Sequence, residues 1–230
     1  MRPLRWCYLG RVPYGRACLL QERLVEARRR GEAGDALLLL EHPPVVTLGR
    51  GAHLENLLLD RGALAARGIE LHDAGRGGDV TFHGPGQLVG YPVLALEGAR
   101  RDAHGYLRDL EEGLIRTAAA FGVEAARVSG LTGVWVGREK LAAIGVRIGT
   151  GWITSHGFAL NVGEDLSGFA TIVPCGIRDR GVTSLSRVLG SPLALDDVVP
   201  IAAAQIARAL GLVAQEEAGT LSSPAPGVPA

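Results

Sequence analysis

Between Asp102 and Asn161 the apolar pattern changes period once, and that change leaves few architectures open. Over Asp102–Phe121, the residues Leu107, Leu110, Leu114, Ala118 and Phe121 recur at 3-4-4-3 spacing. This is one face of an amphipathic helix, with Gly122 where the helix should stop. Beyond it, Val123–Val128, Gly133–Val136, Leu141–Ile148 and Trp152–Asn161 read as consecutive strands with Gly-containing breaks between them. One helix followed by neighbouring strands points to an α+β fold, a mixed sheet with helices covering it.

The remaining segments extend that reading. Tyr14–Arg30 spaces Leu19, Leu20, Leu24, Val25 and Ala27 near one helical face. Leu37–Glu41 and Val45–Leu48 read as short strands around Pro43 and Pro44, and Asn56–Arg67 as a short helix ended by Gly68. Ile69–His72, Asp79–Phe82 and Leu88–Leu96 read as strands, and Asp196 or Asp197 as the cap of a last helix through Leu210. The 230 residues are 47% hydrophobic, with no internal repeat and no linker in the middle. A single domain over residues 1–213 is expected, followed by a flexible Ala/Gly/Ser/Pro tail over 214–230.

Composition excludes several function classes. The formal net charge is +0, which argues against nucleic-acid and polybasic membrane partners. Met1–Tyr14 lacks the apolar core of a signal peptide, and no apolar run is long enough to span a bilayer. Three widely spaced cysteines suggest thiols in a reducing cytoplasm. No phosphate-binding loop, dinucleotide fingerprint, nucleophile elbow or paired zinc motif is present. The six His include no i,i+4 pair, so no metal is expected.

Four segments could carry chemistry. In Arg76–Pro92, glycines flank a strand on both sides, where backbone can approach a ligand or simply turn. Arg76 and His83 flank the same strand and could polarise a carbonyl or bind an anion, or be a surface Arg and a half-buried His. In Gly133–Ile148 the pattern is a hairpin turning at Gly137–Glu139, with Lys140 starting the second strand beside small residues. Lys140 is the one Lys among 24 basic residues. On a surface an Arg would serve equally, so this Lys asks for a reason. His156 and Gly157 interrupt a third segment, as a bulge around a core His or as part of a site. In the fourth, Cys175 sits between Pro174 and Gly176 with Arg178 and Arg180 nearby. A thiol presented at a bend among positive charges shifts toward thiolate, whereas most cysteines are small buried hydrophobes, the reading kept for Cys7 and Cys18.

Taken in order, Glu41–Arg50, Arg76–Gln87, Lys140–Gly145, His156–Asn161 and Pro174–Ile177 resemble the octanoyl (lipoyl) transferase family, with similarity running from about Leu4 to Val213. The resemblance implies the biotin/lipoate protein ligase-like fold, a class II synthetase-like mixed sheet flanked by helices. It implies transfer of an octanoyl group from acyl carrier protein to a lysine of lipoyl domains in 2-oxoacid dehydrogenases and the glycine cleavage H protein. It implies Cys175 as the nucleophile that holds an acyl thioester and Lys140 as its dyad partner. Arg76, Gly77, Gly78, Asp79, Val80, Thr81, Phe82 and His83 would line the acyl pocket, with Ala143, Ile144, Gly145, His156, Gly157 and Phe158. No cofactor is implied, and a monomer is expected.

Three other readings share some of these residues. An ATP-dependent lipoate or biotin ligase would keep the pocket lysine without needing Cys175. A thioesterase would let water attack the acyl-enzyme. A silent lipoyl-domain binding module would use neither residue chemically. At the sequence level Lys140 and Cys175 are 35 positions apart, so their meeting in space is an expectation.

Overall fold

The computed structural model describes residues 2–163, 165–176 and 180–217, and of Cys175 it describes the backbone alone. The Cys175 side chain, Arg178 and the expected tail over 218–230 therefore lie outside the described residues.

The strands are β1 (Pro3–Arg11), β2 (Ala36–Glu41), β3 (Val45–Leu48), β4 (Glu70–Asp73), β5 (Val80–His83), β6 (Gln87–Val93), β7 (Ala126–Val128), β8 (Leu131–Val136), β9 (Glu139–Ile148), β10 (Thr154–Asn161) and β11 (Val213–Glu216). The helices are α1 (Tyr14–Arg29), α2 (Arg61–Ala66), α3 (Ala103–Ala120), α4 (Leu185–Leu189) and α5 (Leu195–Ala209). Eight strands form one mixed sheet in the order β11-β1-β2-β6-β10-β9-β8-β7, and β4-β3-β5 form a second, smaller sheet. The pairs β11–β1 and β1–β2 are parallel, and the pairs from β2 through to β7 are antiparallel.

At β2 the large sheet is covered on both faces, so this strand is a continuous apolar run rather than an alternating one. In β2, Leu37 and Leu39 join the core under α3 and α5, while Leu38 and Leu40 join the core under α1. The helix α3 is held by the spacing expected of it: Leu110, Leu114 and Ala118 are fully buried, and Asp102 caps its start by accepting from the His104 N–H. The small sheet has its own core, in which Val46, Leu64, Val80, Phe82 and Ile172 pack together. No described helix is long and apolar enough to cross a membrane.

Three features depart from expectation. The strand β1 was not anticipated, because Arg5 and Arg11 break up its apolar pattern; it is buried by pairing on both edges. The cap of α5 is Ala194, with Asp196 and Asp197 inside the first turn, where they favour the helix dipole. Residues 214–216, expected in the tail, belong to β11, and Glu217 continues that edge with its N–H on the Trp6 carbonyl and its carboxylate 3.0 Å from Arg5.

Candidate active site

The seam between the two sheets holds a cavity. Its walls are Val80, Thr81 and His83 of β5, Val89 and Tyr91 of β6, Ala143–Gly145 of β9, His156–Ala159 of β10, Tyr14 of α1, and Arg76, Gly78 and Asp79 of the loop before β5. The strands come close because side chains are missing where they face each other. A Cβ on Gly157 would run into the Gly90 carbonyl oxygen. Beside it, His156 holds φ 55, a left-handed conformation rare for a residue with a Cβ, and its N–H donates to Gln21 Oε1 at 2.7 Å. The strand register through His156 is regular, so no bulge forms there.

Arg76 brings a positive charge to the cavity wall, while the histidines around it are neutral near pH 7. Burial pushes His83 down to about 3, with His42 close by adding to the effect, and burial pushes His42 and His156 down to about 4. His42 Nδ1 donates to the Val12 carbonyl at 2.6 Å, so its Nε2 accepts from the Tyr91 hydroxyl at 2.7 Å. His83 Nδ1 donates to Gln87 Oε1 at 2.7 Å, Gln87 donates to Asn161 at 2.9 Å, and Asn161 donates to the Thr183 carbonyl at 2.9 Å. Arg76 is buried, and its guanidinium donates to the carbonyls of Gly77, Asp79 and Thr47 and to Thr47 Oγ1. It braces the loops around the cavity.

Lys140 lies at one end of this arrangement. It is only 5% exposed, and its Nζ sits 4.8 Å from the centre of the Trp135 ring, which Arg180 also approaches at 5.2 Å. Where β10 ends at Asn161, residues 181–183 take its place in the sheet. Lys140 N–H donates to the Gly181 carbonyl and its own carbonyl accepts from Thr183 N–H. A small cavity beside Lys140 adjoins the main one. The two share Thr81, Ala143 and Ala159, and Pro174 lines the smaller one beside Lys140. Pro174–Gly176 form one 3-10 turn. Pro174, the residue before Cys175, and Lys140 thus line the same space.

Residues 13–207 match the family described as the lipoyl protein ligase A/B catalytic domain. The chain is 53% identical over 223 residues to the octanoyltransferase of Acidobacterium capsulatum, covering 90% of each chain. It is 49% identical to that of Chloroflexus aurantiacus, covering 95% of this chain and 99% of the relative. The chain belongs to the octanoyltransferase family. It is therefore an acyltransferase. The same fold occurs in a bipartite lipoate protein ligase from Thermoplasma acidophilum, with a TM-score of 0.75 and 18% identity over 96% of this chain and 89% of that one. It also occurs in the biotin protein ligase of Aquifex aeolicus, with a TM-score of 0.50 and 14% identity over 92% and 69%.

In this octanoyltransferase-family chain, most of the implied pocket residues line the main cavity: Arg76, Gly78–Thr81, His83, Ala143–Gly145 and His156–Phe158. Two point elsewhere. Gly77 is tied to β9 by its N–H on the Val146 carbonyl. The Phe82 ring belongs to the small-sheet core, 5.6 Å from Phe169, because alternate residues of β5 face opposite sides. Sequence reasoning missed Tyr14, His42 and Tyr91. Tyr14 reads as an ordinary helix start, and only the fold stacks it among His42, His72 and His83.

Proposed function

We propose that the chain moves an octanoyl group from acyl carrier protein to a lysine of a lipoyl domain through a thioester on Cys175, as a monomer in the cytoplasm. Acceptors are the lipoyl domains of 2-oxoacid dehydrogenases and the glycine cleavage H protein. The observation that carries this reading is the burial of the single lysine, Lys140, in a small cavity that Pro174 also lines and that shares Thr81, Ala143 and Ala159 with the main cavity. A cavity with Val89, Ala143, Ile144 and Phe158 in its walls suits an alkyl chain.

The residues then divide the work as follows. Cys175 begins as a thiolate stabilised by the Lys140 ammonium. The thiolate adds to the donor thioester carbonyl, the carrier thiolate leaves, and it takes a proton from Lys140. This yields S-octanoyl-Cys175 and a neutral Lys140. The acceptor amine then adds to the same carbonyl and gives its surplus proton to Lys140, and the Cys175 thiolate departs. The ion pair is restored. One thioester is exchanged for another in the first half, so no ATP is consumed.

The test is transfer from octanoyl carrier protein to a lipoyl domain in the absence of ATP, followed by mass of the domain. An added octanoyl amide is expected. A requirement for ATP, or release of octanoate with no modified domain, contradicts the proposal.

A further inference from the structure

Three backbone links tie one neighbouring segment to the chain just before Cys175. The Val173 N–H donates to the Asn56 carbonyl at 2.7 Å, the Leu58 N–H donates to the Thr171 carbonyl at 3.0 Å, and Leu57 bridges Ile172. The segment His53–Leu58 thus runs along the chain just before Cys175. That segment is held in turn by one carboxylate at the start of β5. Asp79 Oδ1 accepts from the N–H of His53 at 2.9 Å and of Val80 at 2.7 Å, and Asp79 Oδ2 accepts from Asn56 Nδ2 at 2.6 Å.

The same side-chain pair closes on the other side of the turn. Gly176 holds φ +69, and a Cβ there would lie 3.1 Å from Asn56 Nδ2 and 3.2 Å from Asp79 Oδ2. The Asn56–Asp79 pair therefore occupies the space where a side chain on the residue after Cys175 would go, while the Asn56 backbone holds the second residue before it. Asn56 is buried. A side-chain amide is well suited to this place: it donates to Asp79 and adds no second negative charge beside the turn that carries Cys175.

We propose that Asn56 and Asp79 are positioning residues that fix the Cys175 turn, and that the neutrality of Asn56 keeps the local field favourable to a thiolate. The proposal rests on Cys175 being the acyl-carrying nucleophile.

Asn56→Asp tests this with little change of shape, since it sets a second carboxylate against Asp79 and Gly176. Exchanging the two residues, Asn56→Asp with Asp79→Asn, keeps every hydrogen bond of the pair and one negative charge. Two readouts apply: stopped-time formation of the acyl-enzyme from octanoyl carrier protein, and the pH profile of Cys175 alkylation by iodoacetamide, quantified on the Cys175 peptide. In Asn56→Asp, acyl-enzyme formation should slow about tenfold with KM for the carrier within about twofold. The alkylation midpoint should rise by about one pH unit. The exchanged pair should recover both. An Asn56→Asp protein with the parent rate and the parent alkylation profile overturns the proposal, as does a slowed rate that the exchange fails to rescue while melting is unchanged. The alkylation profile reads the turn whether or not the enzyme turns over. A shifted profile with an acyl adduct found away from Cys175 would therefore sink the nucleophile reading and leave the positioning role standing.

Discussion

Lys140 shows why residue type matters at a buried position. An arginine there could keep a positive charge over Trp135, but a guanidinium does not release its proton near neutral pH. The proposed cycle needs Lys140 to give up one proton and take back another. Lys140→Arg should therefore melt like the parent and lose about a hundredfold or more of its transfer rate; transfer within a fewfold of the parent would place Lys140 outside the chemistry. This residue was legible in the sequence, because a lone lysine among 23 arginines stands out. Asn56 was not. Nothing in its neighbours marks it, and its importance comes from a contact with Asp79 across 23 positions. Arg76 was legible as a site residue but not in its role. Its donors are committed to carbonyls that only the folded loops bring within reach.

At the scale of elements, periodicity was informative where one face meets a core. The helix α3 and the run β8, β9 and β10 fall close to where spacing puts them. Short or parallel edge elements were harder, because β1 and β11 owe their strand character to each other and to β2. The hairpin β8–β9, which presents Lys140, is also pinned from α3 by a buried acid that no periodicity reveals. Glu111 is fully buried. One oxygen accepts from Gly133 N–H at 3.1 Å and the other meets Arg108 and Arg127 at 2.6 and 3.0 Å. Removing it leaves a buried N–H without its acceptor, Arg108 without its carboxylate partner and Arg127 with Glu112 alone. Glu111→Ala should cost about 3 kcal/mol in urea unfolding. A loss under about 1 kcal/mol would mean that the hairpin is held by its apolar contacts alone.

At the scale of the whole molecule, the site exists because a small sheet docks on the uncovered part of a large one. The short motifs in sequence name most of the walls, but the walls meet only when β5 crosses β6, β9 and β10. The seam stores three buried neutral histidines, His42, His83 and His156, and this couples the fold to pH. Each is depressed from the ordinary 6.5, to about 4, 3 and 4 respectively, chiefly by burial. The unfolded chain therefore takes up protons more readily than the folded one below pH 6.5. Stability should be complete above that value and fall as pH drops from 6.5 toward 4, each group costing up to ~1.4 kcal/mol per pH unit. Melting curves across this window should descend steeply, and a flat profile would mean that the histidines are solvated in the fold.

The most direct measurement is the intact mass of the enzyme after mixing with octanoyl carrier protein, in parent, Cys175→Ser and Cys7→Ser proteins. A thioester adduct on the parent and on Cys7→Ser, absent from Cys175→Ser, is the predicted result. An octanoyl thioester that persists in Cys175→Ser would contradict the transfer mechanism at its first step.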